Sequence, residues 1–432
     1  MLFPLITFPY ACRIIEPQGI GQVNFFSSII GYISLFTCLG IPMYAIREIA
    51  RNRNDVVKMN RTAIEILLLH ALLTIAGYLI VAVLCLTIPQ IKTDIPLFLI
   101  LSLTIFFTAI GCEWFYQGIE DFKYITIRGL IVKLVSVILL FLLVKTKDDL
   151  VYYGVYSVVG ILGGNIFNFF RLRRYIHRKN VIFSKLNISR HIRPVLQVFS
   201  FNVVTSMYLQ LNPVLLGFIK GTLAVGYFTA ATKIISVVMK MSSCLGAEHK
   251  EDEFNRLIQK SYDFTIAICI PLTFGLFVAA PFIIKALCGQ EFTPATFASQ
   301  VIAPIILMVG ISNVMGLQVL YPKGKMIGAI TNLLLDVILI PIFSYNGTAI
   351  AYLGAEIATT VSMYIIAKRD IPIRFFKRCH VDYLFGSILM SAIVLVIPWF
   401  GKFSSVVVLA LQAVVGAFVY FSYLMARKDD FV

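Results

Sequence analysis

Long apolar runs leave this chain few ways to fold. The stretches 125–144, 195–219 and 264–287 are predominantly apolar. Each is near or above the roughly 20 residues that cross a hydrocarbon core about 30 Å thick. Lipid offers no partner to backbone N–H and C=O groups, so a run placed there must pair its own backbone as a helix. A membrane barrel would need short alternating segments, and these runs do not alternate. The expectation is an all-α polytopic membrane protein.

Composition closes the soluble alternative. The 432 residues are 59% hydrophobic and 14% charged, against roughly 45–50% and 25% in soluble domains. The net charge of +15 would suggest nucleic acid in a soluble protein. Here the charge sits between apolar runs, where it sets topology and meets anionic head groups, so no nucleic-acid partner is expected. The eight cysteines are scattered, mostly inside apolar runs, without a C-x-x-C, and read as reduced small apolar side chains. The five histidines are isolated and form no H-E-x-x-H, so no metal is expected. No cleavable signal peptide is expected. Met1 opens directly into the apolar run 2–12, which is short for a span and has no basic residue before it. The first helix is expected to begin partway through.

About fourteen membrane segments are expected, near 1–14, 23–46, 63–88, 95–117, 124–145, 150–172, 194–219, 222–245, 261–288, 298–321, 326–345, 346–367, 382–400 and 403–426. Asn346-Gly347 separates the eleventh from the twelfth. With that assignment, 27 of the 37 basic residues fall on one set of alternate loops with the C-terminus, seven on the other side and three inside helices. The larger set includes Arg61, Arg128, Arg190, Lys323 and Lys325; the smaller includes Arg13 and Lys285. The positive-inside rule puts the richer side, and the C-terminus, in the cytoplasm.

The longest polar stretch follows six segments and precedes six more. The division expected is a bundle at 1–172, a basic cytoplasmic linker at 173–193, a second bundle at 194–367, and a cytoplasmic loop with two extra helices at 368–432. A short internal match supports duplication. Aligning Gly21 with Gly226 pairs Ile20 with Val225, Val23 with Phe228, Ser27 with Thr232 and Ile29 with Ile234, each at the turn from the first to the second helix of its half. Six helices is an even number, so the repeats share an orientation, with an axis along the membrane normal and a substrate site between them.

A charge at bilayer depth costs roughly 2.5–3.5 kcal/mol on insertion scales. Lys133, Lys233, Lys240, Asp336 and Glu356 lie well inside apolar runs, with Glu65 and Glu113 nearer the ends. Lys233 and Lys240 are two turns apart and share a face with Thr229. Two readings stand for the lysines: a cationic lining for an anionic substrate group, or long stems that snorkel or pair with a neighbouring acid. Two stand for Asp336 and Glu356 as well: a site for a coupling proton or sodium ion, or a structural pair with Lys133 or Lys233. Arg47 abuts the kink signal Gly40-Ile41-Pro42 and could reach a cytoplasm-facing cavity. Asn202, Asn212 and Pro213 mark the seventh helix for a bend or for interhelical hydrogen bonds.

Three motifs in order, FPYACRIIEPQGIG (8–21), GIPMYAIREIA (40–50) and EWFYQGIEDFKYIT (113–126), with NGTAIA (346–351) near the end of the second half, resemble bacterial polysaccharide (O-antigen type) flippases. That family shares a superfamily with multidrug and toxin extrusion antiporters and lipid II flippases. The resemblance implies transport of an oligosaccharide linked to undecaprenyl pyrophosphate across the bacterial inner (cytoplasmic) membrane by alternating access, for O-antigen, capsule or exopolysaccharide synthesis. Partners would be the lipid-linked substrate, membrane lipids and the polysaccharide polymerase machinery. The resemblance maps Arg13, Arg47 and Lys233 onto substrate-facing cations. Against the family, the first helix and the links at 246–252 and 323–326 look short.

Two other functions compete. A cation-coupled multidrug-type antiporter calls for an acidic cavity, whereas three of the helix-buried charges are lysines. A membrane-embedded polysaccharide polymerase or transferase calls for a large external loop with catalytic Arg or His, and the outer loops here are a handful of residues. No enzyme activity is expected, and no cofactor beyond a coupling H+ or Na+.

Overall fold

The computed structural model describes residues 2–176, 186–243, 254–315, 320–370, 374, 377–400 and 404–427. Helices make up nearly all of them, and no strand occurs among the described residues. Among the described residues, nine helices are long and apolar enough to cross a membrane, or ten if Leu150–Leu162 and Gly164–Leu172, bent by 46°, form one span.

Two of these helices each hold two spans joined at a kink. Leu2–Cys38 breaks at Glu16 (φ 61°), where Pro17 removes a backbone donor and restricts the residue before it. Leu320–Asp370 breaks at Ser344 (φ 54°). Separated there, and with Ser189–Lys220 and Thr222–Ser243, the segments among the described residues number fourteen, in the order expected from the sequence.

Details differ from that expectation. The first two segments meet at Glu16 without the loop expected at 15–22. The eleventh and twelfth divide two residues before Asn346-Gly347. Gly347 serves close approach instead, since a Cβ there would lie 2.3 Å from the Leu339 carbonyl oxygen. Residues 323–326, expected as a short link, lie inside a helix, and 246–252 lies outside the described residues. Ser189–Lys220 is one helix, with Pro194 and Pro213 inside it.

The chain forms two compact units. One holds Leu2–Thr7 and Gln22–Val214. In it, Leu39 and Gly40 have positive φ (43° and 77°), which breaks the chain before Ile41–Asn52. That helix is amphipathic. Ile41, Ala45 and Ile49 form a one-face stripe buried against Met59, Ala63 and Ile66 of helix Val56–Thr87 and against Trp114, Phe115 and Tyr116. A second break, at Cys112 (φ 45°), separates Ile95–Gly111 from Glu113–Gly118. Carbonyls near a helix end need partners in a dry interior. Asn165 donates to the Phe107 carbonyl (2.9 Å) and Asn168 to that of Gly111 (2.6 Å).

The other unit holds Phe8–Gly21 and Leu215–Val432. Helix Phe254–Leu287 carries the last two helices, Arg378–Val396 and Ser405–Ala426. Tyr262, Ile266, Met390, Val394 and Tyr420 share one core, and the Tyr420 hydroxyl donates to the Ala267 carbonyl (2.7 Å). In the same unit the two repeat glycines face each other's segment. A Cβ on Gly21 would lie 1.7 Å from the Thr222 oxygen, and one on Gly226 1.9 Å from the Pro17 oxygen.

Candidate functional site

The charges singled out in the sequence separate into exposed cations and buried acids. Lys133 on helix Phe122–Leu143, Lys233 on Thr222–Ser243 and Arg47 on the polar face of Ile41–Asn52 are exposed. Asp336 and Glu356 are 0% and 1% exposed. The side chain of Lys240 lies outside the described residues.

Arg13 is exposed, and its guanidinium donates to the Ala286 carbonyl at 2.6 Å. Ala286 is in the last turn of helix Phe254–Leu287, where carbonyls lack intrahelical partners and the dipole favours a cation. The guanidinium therefore caps a helix besides presenting charge. Cys12, beside Arg13, lies within electrostatic reach of Lys233. Arg13 and Lys233 belong to the same unit. Lys133 and Arg47 belong to the other unit.

Glu356 is paired, with a partner the sequence reading did not offer. Lys325 donates to both carboxylate oxygens, at 3.0 and 3.2 Å. Lys325 was expected in a cytoplasmic loop; it is 7% exposed on helix Leu320–Asp370. Removing one partner of a buried pair costs about 3–5 kcal/mol, whereas replacing both with apolar groups is often neutral. Glu356→Ala should therefore lower the melting temperature markedly, and Lys325→Met with Glu356→Met should recover most of the loss. Equal damage in single and double variants would mean the pair is not a unit.

Asp336 stands apart. Neither carboxylate oxygen has a hydrogen-bond partner among the described residues. Asn332, one turn earlier and 0% exposed, has both amide atoms unpartnered there too. On helix Leu320–Asp370 these two and Gly328 follow at four-residue intervals. Gly328 abuts Thr359, whose hydroxyl, 2.0 Å from a Cβ built on that glycine, is buried and likewise unpartnered. Buried polar groups are nearly always satisfied, so the unpartnered atoms of Asn332 and Asp336 stand out in this helix.

Three further clusters were not singled out in the sequence as sites. Glu65, 0% exposed, accepts from Arg61 Nε (3.0 Å), the Asn187 backbone N–H (2.7 Å) and the guanidinium of Arg190, and is 2.9 Å from His191 Nε2. The other ring nitrogen of His191 is 2.7 Å from the Tyr44 hydroxyl. Arg61 and Glu65, four apart on helix Val56–Thr87, are the local half of this node. In the third motif, Glu113 binds Arg128 (3.0 Å) and Asp121 binds Arg171 (2.8 Å), whose guanidinium lies 3.8 Å over the Tyr124 ring. That motif is scaffolding in this structure.

The last cluster joins Asp263 to Lys377 (2.5 Å) and His380 (2.9 Å), with Cys379 close by. Asp263, Cys379 and His380 are near enough to share a metal ion. The donor set argues otherwise. His380 Nδ1 accepts from the Lys377 backbone N–H (3.3 Å), which leaves Nε2 as the protonated nitrogen, donating to Asp263. Outside the spans, Asp55 accepts from the Lys58 backbone N–H at 3.1 Å, and that bond holds its carboxyl below the usual range.

Fold and polar pattern together define a multi-pass helical membrane protein built like known lipid and drug transporters. A solved structure titled "Lipid II flippase MurJ, inward closed conformation" matches with a TM-score of 0.69 at 16% identity, covering 99% of each chain. An inward-facing multidrug resistance MATE family transporter matches with a TM-score of 0.62 at 13% identity, covering 85% of this chain and 93% of that one. The chain belongs to the "Polysaccharide biosynthesis protein" family, whose model matches residues 1–246. It is 24% identical over 393 residues to a protein of Escherichia coli (strain K12) named "Putative O-antigen transporter", covering 85% of this chain and 93% of the relative. A protein of the same name from Shigella dysenteriae is 25% identical over 383 residues, covering 84% and 95%.

Proposed function

We propose that the protein is a flippase that moves an undecaprenyl-pyrophosphate-linked oligosaccharide across the bacterial cytoplasmic membrane, with its C-terminus in the cytoplasm. The observation that carries this reading is the sorting of in-span charge. The exposed charges are the cations Lys133 and Lys233, while the deepest acids, Asp336 and Glu356, are buried. A cation exposed at bilayer depth, as Lys133 is, calls for water or an anionic ligand, and a pyrophosphate head group supplies one. A drug or cation antiporter would expose the acids instead. The lipid tail stays in the bilayer, so only the head group needs a polar path. Alternation would move one six-helix bundle, 1–172, against the other, 194–367, with Arg13, Arg47, Lys133, Lys233 and Lys240 facing the substrate.

Deleting the gene should abolish the surface polysaccharide and leave lipid-linked repeat units facing the cytoplasm; normal polysaccharide contradicts the reading. Lys233→Glu should fail to restore export while reaching the membrane in normal amount. Full export by that variant would remove Lys233 from the path.

Asp336 is our candidate for the coupling ion, a proton or Na+. The Glu356 carboxylate is committed to Lys325, whereas Asp336 and Asn332 offer unshared oxygens in a buried setting. An unpaired buried carboxylate is unfavourable, so Asp336→Asn should leave stability unchanged or raised. Transport by this variant should lose its dependence on an imposed H+ or Na+ gradient. Unaltered gradient dependence would exclude Asp336.

A further inference from the structure

Cys12 and Cys288 are far apart in sequence and meet in the fold. Each is 1% exposed, both are free thiols, and they lie within interaction range of one another. The residues beside them fix the contact. Arg13 donates to the Ala286 carbonyl at 2.6 Å, across 273 residues of sequence. Gly289, at φ 95°, directs its Cβ position to within 3.8 Å of Arg13 Cγ. The Cys288 backbone N–H still pairs with the Ile284 carbonyl at 2.8 Å, which keeps its side chain in the register of helix Phe254–Leu287.

The charge distribution adds a location. Arg13 and Lys285 lie on the side with seven basic residues against 27, the side opposite the cytoplasm. There a bacterial cell keeps protein thiols oxidised by enzyme-driven exchange. We infer that Cys12 and Cys288 are a disulfide-forming pair, oxidised at the outer face of the membrane, which ties the first helix to the end of helix Phe254–Leu287. The oxidant is the disulfide of a thiol oxidoreductase. The Cys12 thiolate attacks one of its sulfurs and releases the other as a thiolate. The Cys288 thiolate then attacks Cys12 in this mixed disulfide, closes the Cys12–Cys288 bond and expels the enzyme as a dithiol. Two protons leave the substrate cysteines, and two electrons pass to the enzyme. The folded pair is too buried to admit that enzyme, so the exchange belongs to membrane insertion, when Cys12 emerges before Cys288. Scattered positions gave the sequence no means of pairing these two.

The test uses the full chain in cells quenched with acid, dissolved in denaturant and treated with a polyethylene-glycol maleimide. Without prior reduction the protein should take up two fewer maleimides than its eight cysteines allow; after reduction it should take up all eight. Cys12→Ser or Cys288→Ser should erase that difference, and peptide mass spectrometry of the unreduced wild type should find the Cys12–Cys288 cross-link. Labelling under denaturing conditions reads the bond whether or not a variant folds fully. Equal uptake with and without reduction would overturn the inference, as would a two-thiol difference that persists in the serine variants. A yield unchanged in a host lacking its periplasmic thiol oxidase would overturn the route.

Discussion

Gly226→Leu is expected to remove most of the folded protein from the membrane. The atoms opposed to a new side chain are backbone, with the Pro17 carbonyl oxygen 1.9 Å from the first added carbon. No rotamer relieves a clash at Cβ, so the segments must separate. Separation also breaks the hydrogen bond from Gln18 to Thr222 (2.9 Å). Overpacking typically costs about 1–3 kcal/mol where side chains can yield; against backbone the loss should reach about 3 kcal/mol or more. Gly129→Ala is the control. It sits inside helix Phe122–Leu143 with nothing within 4 Å of its Cβ position, so alanine should be neutral or stabilising by up to about 1 kcal/mol. Melting temperatures in detergent decide this. A Gly226→Leu protein as stable as the wild type would mean that the two repeat glycines do not pack as described.

The second large effect is expected at Glu65. Its carboxylate serves three side chains and a backbone N–H, from Arg61, Arg190, His191 and Asn187. Glu65→Ala leaves two guanidinium groups and a buried imidazole without their acceptor, which should cost about 3–5 kcal/mol. Glu65→Gln keeps one acceptor oxygen but turns an amide NH2 toward donors, so it should fall between. His191→Gln removes one contact of several and should cost about 1–2 kcal/mol. Thermal unfolding of the three variants gives the order. A Glu65→Ala variant within about 1 kcal/mol of wild type would show that the node contributes little.

The helix count was legible because span length is a local property, readable from apolar runs alone. The kinks were less so. At Glu16 and Ser344 the chain turns without a polar loop, and hydropathy registers loops. Gly21 and Gly226, aligned from the sequence, meet in the fold: each is held as glycine by close approach to the other's segment. The site was half legible. An isolated charge in an apolar run is visible, and so Lys233, Asp336 and Glu356 stood out. Partners distant in sequence are not. Lys325 looked like loop charge until the fold set it against Glu356, and Arg13 read as a substrate cation without its cap on Ala286. Arg190 looked like topology charge and His191 like an isolated histidine, because their acceptor lies more than 120 residues earlier. Asn332 drew no notice, since an uncharged amide barely lowers the hydropathy of a leucine-rich run; its kinship with Asp336 appears only as a shared lack of partners.

The central claim concerns what crosses the membrane. Its most direct test reconstitutes the purified protein in liposomes with an undecaprenyl-pyrophosphate-linked oligosaccharide in both leaflets. A membrane-impermeant enzyme that modifies the glycan is then added outside, and the modified fraction is followed in time. With wild-type protein the fraction should rise from about half, the share already facing outward, toward completion. With Lys233→Glu it should stay at the protein-free level. A wild-type trace no different from empty liposomes, with the protein folded and an H+ or Na+ gradient imposed, would contradict the flippase reading.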